Sequence, residues 1–209
     1  MVKAKICGIT NLEDALNAAD AGCDALGFVF YKRSQRYITP EKASKIMRHL
    51  APDILKIGVF VDATEKTIRR IAKLCRLDML QFHGNESPDF CARFGDFKII
   101  KAFRVKKRID VKDISKYKTF AYLFDTFVKS KIGGTGRRFE WELAKNMHLD
   151  DIGRQIFLSG GLTEKNLKEA VEAVHPDWVD VSTSVEIKPG KKDNRKVRDF
   201  IRTLKEIQI

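Results

Sequence analysis

A cysteine, an aspartate, an arginine, a histidine and three loops rich in glycine, serine and threonine hold the chemistry open to this sequence. Cys7 closes the short apolar run 2–7 and is followed by Gly8, so its thiol can stand at the end of a strand, clear of the core. As a thiolate it is a base; packed among apolar neighbours it is a small hydrophobe, and position alone leaves both readings open. Asp125 closes the run 120–125. A carboxylate is costly to bury unless paired, which points Asp125 at a polar pocket whose surroundings can raise its pKa towards that of a general acid. Arg36 either forks onto a carboxylate or lies on the surface. His83, at the end of another apolar run, is either a site residue or a hydrogen-bonded structural histidine.

The loops point to an anion. They are Gly133-Gly134-Thr135-Gly136, Ser159-Gly160-Gly161 and Ser182-Thr183-Ser184. Glycine lets backbone N–H groups approach a phosphate closely, and hydroxyls add donors. Each could be only a tight turn, but two such sites at the ends of the seventh and eighth apolar runs favour phosphate binding.

These residues need a scaffold that gathers them. A short apolar run followed by a turn and an amphipathic helix recurs eight times. The runs are residues 2–7, 25–30, 56–61, 79–83, 97–103, 120–125, 155–159 and 178–182. They are nearly continuously apolar, as parallel strands covered on both faces should be. Helix starts are signalled by Asn11 three residues before Asp14, by Thr39-Pro40-Glu41, and by Thr64, Ser87 and Thr163. In 163–174, Leu167, Ala170, Val171 and Val174 share one helical face. The fifth helix must fit within residues 110–117, short and highly charged, so a single turn or a loop is expected there. The pattern predicts an α/β protein: one (β/α)8 barrel of near minimal length spanning residues 1–209, with Cys7, Arg33, Arg36, Asp62, His83, Arg104 and Asp125 at the strand ends where such barrels do chemistry. A doubly wound open sheet would carry G-x-G-x-x-G after its first strand, and Cys7-Gly8-Ile9-Thr10 does not match.

Composition narrows the field. The 209 residues are 44% hydrophobic and 33% charged, as in an ordinary globular protein. No apolar run approaches the roughly 20 residues of a membrane span, and Lys3 and Lys5 break any N-terminal secretion signal, so no membrane association and a cytoplasmic location are expected. Cys7, Cys23, Cys75 and Cys91 form no C-x-x-C pair, which argues for thiols and against zinc. The formal net charge of +12 is spread along the chain, thickening at 104–108 and 188–198 without aromatic interleaving. That suits a solvated surface and a field that attracts an anionic substrate better than a nucleic-acid partner.

Several motifs together resemble the phosphoribosylanthranilate isomerase family of tryptophan biosynthesis. They are Lys5-Ile6-Cys7-Gly8-Ile9-Thr10-Asn11, Gly27-Phe28-Val29-Phe30 with Ser34-Gln35-Arg36-Tyr37-Ile38, Val59-Phe60-Val61, Gln81-Phe82-His83-Gly84, Phe124-Asp125, the 133–136 loop with Phe139 and Trp141, Leu158-Ser159-Gly160-Gly161-Leu162, Asp180-Val181-Ser182, Val185-Glu186 and Pro189-Gly190-Lys191-Lys192-Asp193. The match runs the length of the chain. It implies an Amadori rearrangement of N-(5-phosphoribosyl)anthranilate without cofactor or metal, in a monomer or homodimer acting on a small anionic substrate. Cys7 would be the general base and Asp125 the general acid. Arg36 would hold the anthranilate carboxylate, with His83 as a further substrate contact. Gly134, Gly136, Gly160, Gly161, Ser182, Thr183 and Ser184 would surround the phosphate. Two positions depart from the family: Ser184 replaces a glycine, and Phe82 a leucine. Ser184 must tolerate the glycine's geometry or alter it, and its hydroxyl either weakens phosphate binding or adds a donor.

Two other readings stand beside this one. An isomerase of another aminosugar phosphate on the same barrel typically uses two aspartates, against which Cys7 argues. A basic nucleic-acid-binding barrel would show affinity that falls steeply with salt.

Overall fold

A computed structural model describes residues 1–105, 111–125 and 153–207. Eight parallel strands close in sequence order into a barrel: β1 (Lys3–Cys7), β2 (Ala25–Val29), β3 (Leu55–Phe60), β4 (Met79–Phe82), β5 (Lys98–Arg104), β6 (Ala121–Asp125), β7 (Gln155–Ser159) and β8 (Trp178–Val181), with β8 pairing back onto β1. Each lies within a residue of its predicted ends. Among the described residues the helices are α1 (Leu12–Asp20), α2 (Pro40–Met47), α3 (Glu65–Cys75), α4 (Pro88–Ala92), α5 (Val111–Ile114), α6 (Leu167–Val174) and α7 (Asn194–Glu206). Asn11, Thr39, Thr64 and Ser87 cap the first four, each side chain accepting a backbone N–H from the residue three positions on.

The fifth helix is a single turn, as its charged, short sequence predicts. Residues 126–152, which contain the 133–136 loop with Phe139 and Trp141, lie outside the described residues. One expectation needs correcting. Thr163 does not cap a helix, because α6 starts only at Leu167. Asn166 reaches back instead: its Oδ1 accepts the Thr163 N–H at 2.7 Å and its Nδ2 donates to the Gly161 carbonyl at 3.0 Å. That side-chain competition closes a turn over 163–166 and delays the helix. The predicted apolar face of Leu167, Ala170, Val171 and Val174 is buried as expected.

Alternation along the strands separates two cores. One faces the helices; the other fills the lumen with Ala25, Ile57, Met79, Ile100, Ala102, Ala121, Leu123, Phe157 and Trp178. Phe157 and Trp178 stack with ring centroids 4.8 Å apart and 8° between planes. Side chains two residues further along these strands face the same lumen one pleat nearer its C-terminal mouth. There the chain turns polar, with Gln81, Asp125, Ser159 and Asp180 joined by Cys7. A hairpin of β9 (Glu186–Lys188) and β10 (Lys191–Lys192) follows a 3₁₀ turn (Thr183–Val185) after β8. The four cysteines are free thiols. Among the described residues, no helix is long and apolar enough to cross a membrane, and no cluster of metal-ligating side chains occurs.

Candidate active site

The barrel mouth holds a cavity of about 440 Å³ lined by Cys7, Arg36, Gln81, His83, Asp125, Ser159, Gly160, Gly161, Asp180, Ser182, Thr183 and Ser184, with Val29, Val59 and Val61 among its apolar wall. The fold thus brings together Cys7, Arg36, His83, Asp125, Gly160, Gly161 and residues 182–184, but not every strand-end candidate. Gly134 and Gly136 fall outside the described residues. Arg33, Asp62 and Arg104 are exposed and do not line the cavity. The Asp62 carboxylate instead caps the next loop, accepting the Asn85 N–H at 2.7 Å.

Cys7 and Asp125 reach the cavity as the last residues of β1 and β6. Gly27, opposite Cys7 in the ladder, makes room for the sulfur: a Cβ there would sit 2.7 Å from Sγ. Beneath Cys7, and facing the same way two residues earlier, Lys5 is fully buried and paired with Asp180 at 2.8 Å. Burial pushes the Cys7 thiol above its ordinary pKa. The Lys5 charge opposes that rise, Asp180 reinforces it and Lys192 opposes it. The resting sulfur at neutral pH is therefore a thiol. Burial also works against the Lys5 ammonium, but the Asp180 carboxylate and then Cys7 hold its pKa above the usual lysine value, so it stays charged.

Across the cavity, His83 Nε2 lies 3.4 Å from Asp125 Oδ2. Gln81 Nε2 lies 3.0 Å from His83 Nδ1. An amide donating to Nδ1 leaves the ring proton on Nε2, the nitrogen that lies 3.4 Å from the Asp125 carboxylate.

Arg36 sits in the turn after β2, its N–H bonded to Ser34 Oγ at 3.1 Å. Its Nε and Nη2 donate to Glu186 at 2.8 and 2.6 Å, and Nη2 also donates to Thr183 Oγ1 at 3.1 Å. Gly8, at φ +83°, permits this crossing, since a Cβ there would stand 2.6 Å from Arg36 Cδ.

Just after β7, Gly160 and Gly161 take φ of 96° and 67°, which suits glycine. Ser184 is not among the residues of positive φ, so the residue in the family's glycine position adopts ordinary geometry within the 3₁₀ turn. Its hydroxyl donates to the Leu162 carbonyl and ties the loops after β7 and β8 together. Ser182 Oγ is buried and has no hydrogen-bond partner among the described residues.

Sequence reasoning missed Lys5, Gln81, Asp180, Glu186 and Lys192 as functional neighbours. Lys5 and Asp180 were visible as charges inside otherwise apolar runs, and Lys5 shares a strand face with Cys7. Glu186 and Lys192 carried no such local signal.

Comparison with known proteins agrees on one family. The family model for N-(5'-phosphoribosyl)anthranilate isomerase matches residues 4–203. The N-(5'-phosphoribosyl)anthranilate isomerase of Pelobacter propionicus is 48% identical over 206 residues, covering 99% of this chain and 97% of the relative. The crystal structure of phosphoribosyl anthranilate isomerase from Thermotoga maritima superposes with a TM-score of 0.90 at 41% identity, covering 98% of this chain and 99% of that one. Another such isomerase, crystallised with reduced 1-(o-carboxyphenylamino)-1-deoxyribulose 5-phosphate, has a TM-score of 0.88 at 40% identity over the same shares.

Proposed function

Because the chain belongs to the N-(5'-phosphoribosyl)anthranilate isomerase family, we propose a role for each site residue in that family's reaction. The enzyme converts N-(5'-phosphoribosyl)anthranilate, an aminoaldose, to 1-(2-carboxyphenylamino)-1-deoxyribulose 5-phosphate, an aminoketose, in tryptophan biosynthesis. We expect it to do so in the cytoplasm.

Asp125 is the general acid and Cys7 the general base. Asp125 gives its proton to the furanose ring oxygen, and the ring opens to a protonated Schiff base between C1 and nitrogen. The Cys7 thiolate removes the proton from C2, whose electron pair moves to the C1–N unit and forms the enolamine. Proton return to C1 and loss of the enol proton leave the ketone at C2. His83, within 3.4 Å of the acid, fixes its carboxyl. The reactive thiolate is a buried anion; the Lys5 ammonium and the iminium charge of the opened substrate both offset it. Arg36 holds the anthranilate carboxylate, while Gly160, Gly161 and the 182–184 turn receive the phosphate together with Gly134 and Gly136. The net charge of +12 draws in a substrate that carries both anions.

The observation that supports this reading best is the facing pair: Cys7 and Asp125 enter one cavity from strands three places apart round the barrel. The test follows the loss of substrate fluorescence, with the substrate made in situ. Cys7→Ala and Asp125→Asn should each lower kcat by about 10²–10⁴-fold, with unchanged circular dichroism and Tm. Full activity in either variant would overturn the role given to that residue.

A further inference from the structure

Glu186 has no place in the acid–base chemistry, yet its side chain is only 3% exposed and three different groups converge on it. Arg36 grips it through Nε at 2.8 Å and Nη2 at 2.6 Å. Lys192 Nζ and the Gly190 N–H bind its Oε1 at 3.1 and 3.2 Å. We propose that Glu186 is the positioning residue for Arg36, taking the side-on edge of the guanidinium so that its end-on edge is held towards the carboxylate of the substrate. The proposal rests on the reading that Arg36 receives that carboxylate.

The geometry of the fork carries the argument. A guanidinium offers two bidentate edges, Nε with Nη2 and Nη1 with Nη2. Glu186 occupies the first; on the second, Nη2 also donates to Thr183 Oγ1 at 3.1 Å, while Nη1 has no hydrogen-bond partner among the described residues. A planar carboxylate in the cavity therefore meets the second, at Nη1 and, in place of the Thr183 hydroxyl, at Nη2. Glu186 can serve as the fixed half of this pair because the hairpin immobilises it. Lys192 Nζ, which holds Oε1, also donates to the carbonyls of Cys7 at 2.6 Å and Ser182 at 3.2 Å. The arginine is thus braced against the ends of β1 and β8, and β1 is the strand that delivers the base. Charge fits as well. Two cations share one buried carboxylate, which leaves one positive charge for an incoming anion. Burial tends to raise the Glu186 pKa, but the Arg36 hydrogen bonds and the Lys192 charge keep it below the usual carboxylate value, so the brace stays ionised.

The test compares two ligands by calorimetry. One is reduced 1-(o-carboxyphenylamino)-1-deoxyribulose 5-phosphate; the other is its counterpart built on aniline, which lacks the carboxylate. Glu186→Gln should weaken the first by roughly 10–100-fold, the loss expected for disturbing a hydrogen bond to a charged group, and change the second by less than about twofold. Retained binding of the aniline ligand also reports a folded site. Equal losses on both ligands, or no loss on either, would overturn the proposal. Arg36→Met, measured alongside, separates the two layers. A carboxylate-selective loss in Arg36→Met without one in Glu186→Gln removes only the role of Glu186. No selective loss in Arg36→Met overturns the Arg36 reading and this inference with it.

Discussion

Cys7 can take a proton from carbon only as a thiolate, and the groups packed round it set how much thiolate there is. Lys5 on its own strand and Lys192 on the hairpin favour the anion; burial and Asp180 on β8 oppose it. Because the balance lies above the ordinary thiol value, kcat/KM should climb with pH along a limb governed by Cys7. The two buried partners act on that limb with opposite signs. Lys5→Met removes the nearest positive charge, so its midpoint should move to higher pH. Asp180→Asn removes a negative charge, so its midpoint should move to lower pH. Each variant also strands a formerly paired buried group, at about 3–5 kcal/mol of stability, so the profiles are best recorded well below the lowered Tm. Identical midpoints in wild type and both variants would sink this account of the base. Cys7 and Asp125 could be picked out in the sequence because each ends an apolar run. Their supports could not. Lys5 and Asp180 read as interruptions of apolar strands until the barrel closes and puts them side by side. The Glu186 grip on Arg36 spans 150 residues of chain, which no local pattern encodes.

At the scale of elements, the β9–β10 hairpin is the piece that local patterns missed. Strands of three and two residues round Pro189-Gly190 are too short to show alternation. The eight barrel strands and four of the caps were legible because each rests on a local rule, apolar continuity or a side chain reaching the third residue on. The hairpin depends on distant partners. Thr10 Oγ1 donates to the Gly190 carbonyl. Asp14, 1% exposed, accepts the Lys192 N–H at 2.7 Å, Lys191 Nζ at 2.7 Å and Asn11 Nδ2 at 2.7 Å. One carboxylate on α1 therefore straps the hairpin across the seam between β8 and β1. Asp14→Ala should leave the buried Lys192 N–H unsatisfied and release Lys191, lowering stability by about 3 kcal/mol. The effect should be local first. Hydrogen exchange should show the Lys192 amide losing protection while amides of β3 and β4 keep theirs. Uniform loss across the barrel, or none at Lys192, would contradict the strap.

For the whole molecule, the remaining cysteines make stability depend on alkaline pH. Cys23, Cys75 and Cys91 are 3–4% exposed, and none touches the active-site cavity. Burial is the leading cause of their shifts, pushing Cys23 to about 12 and Cys75 and Cys91 to about 11, from an ordinary value of 9.0. A group whose folded pKa is raised keeps its proton in the native state after the unfolded chain has lost its own. Between the two values the native state binds more protons, so stability falls as pH rises. Other raised groups enter later. Tyr117 and Tyr122 start from 10.0, and the contribution of Lys5 is fully present below 10.5. From pH 8 to 10 the thiols therefore set the loss, opposed by Lys192, whose folded pKa burial holds below 10.5 so that its own contribution rises with pH. At about 1.4 kcal/mol for each pKa unit, those three should remove about 4 kcal/mol over that interval, and Cys7, raised in the same direction, adds to the loss. That is a large share of the roughly 5–15 kcal/mol that keeps a domain folded. Urea unfolding at pH 8 and pH 10 measures it directly. Replacing Cys23, Cys75 and Cys91 together by alanine will lower stability at both pH values through lost packing, but it should flatten the difference to what Cys7 and Lys192, acting in opposite directions, supply. A difference that survives the triple replacement undiminished would show that the alkaline loss comes from elsewhere in the fold.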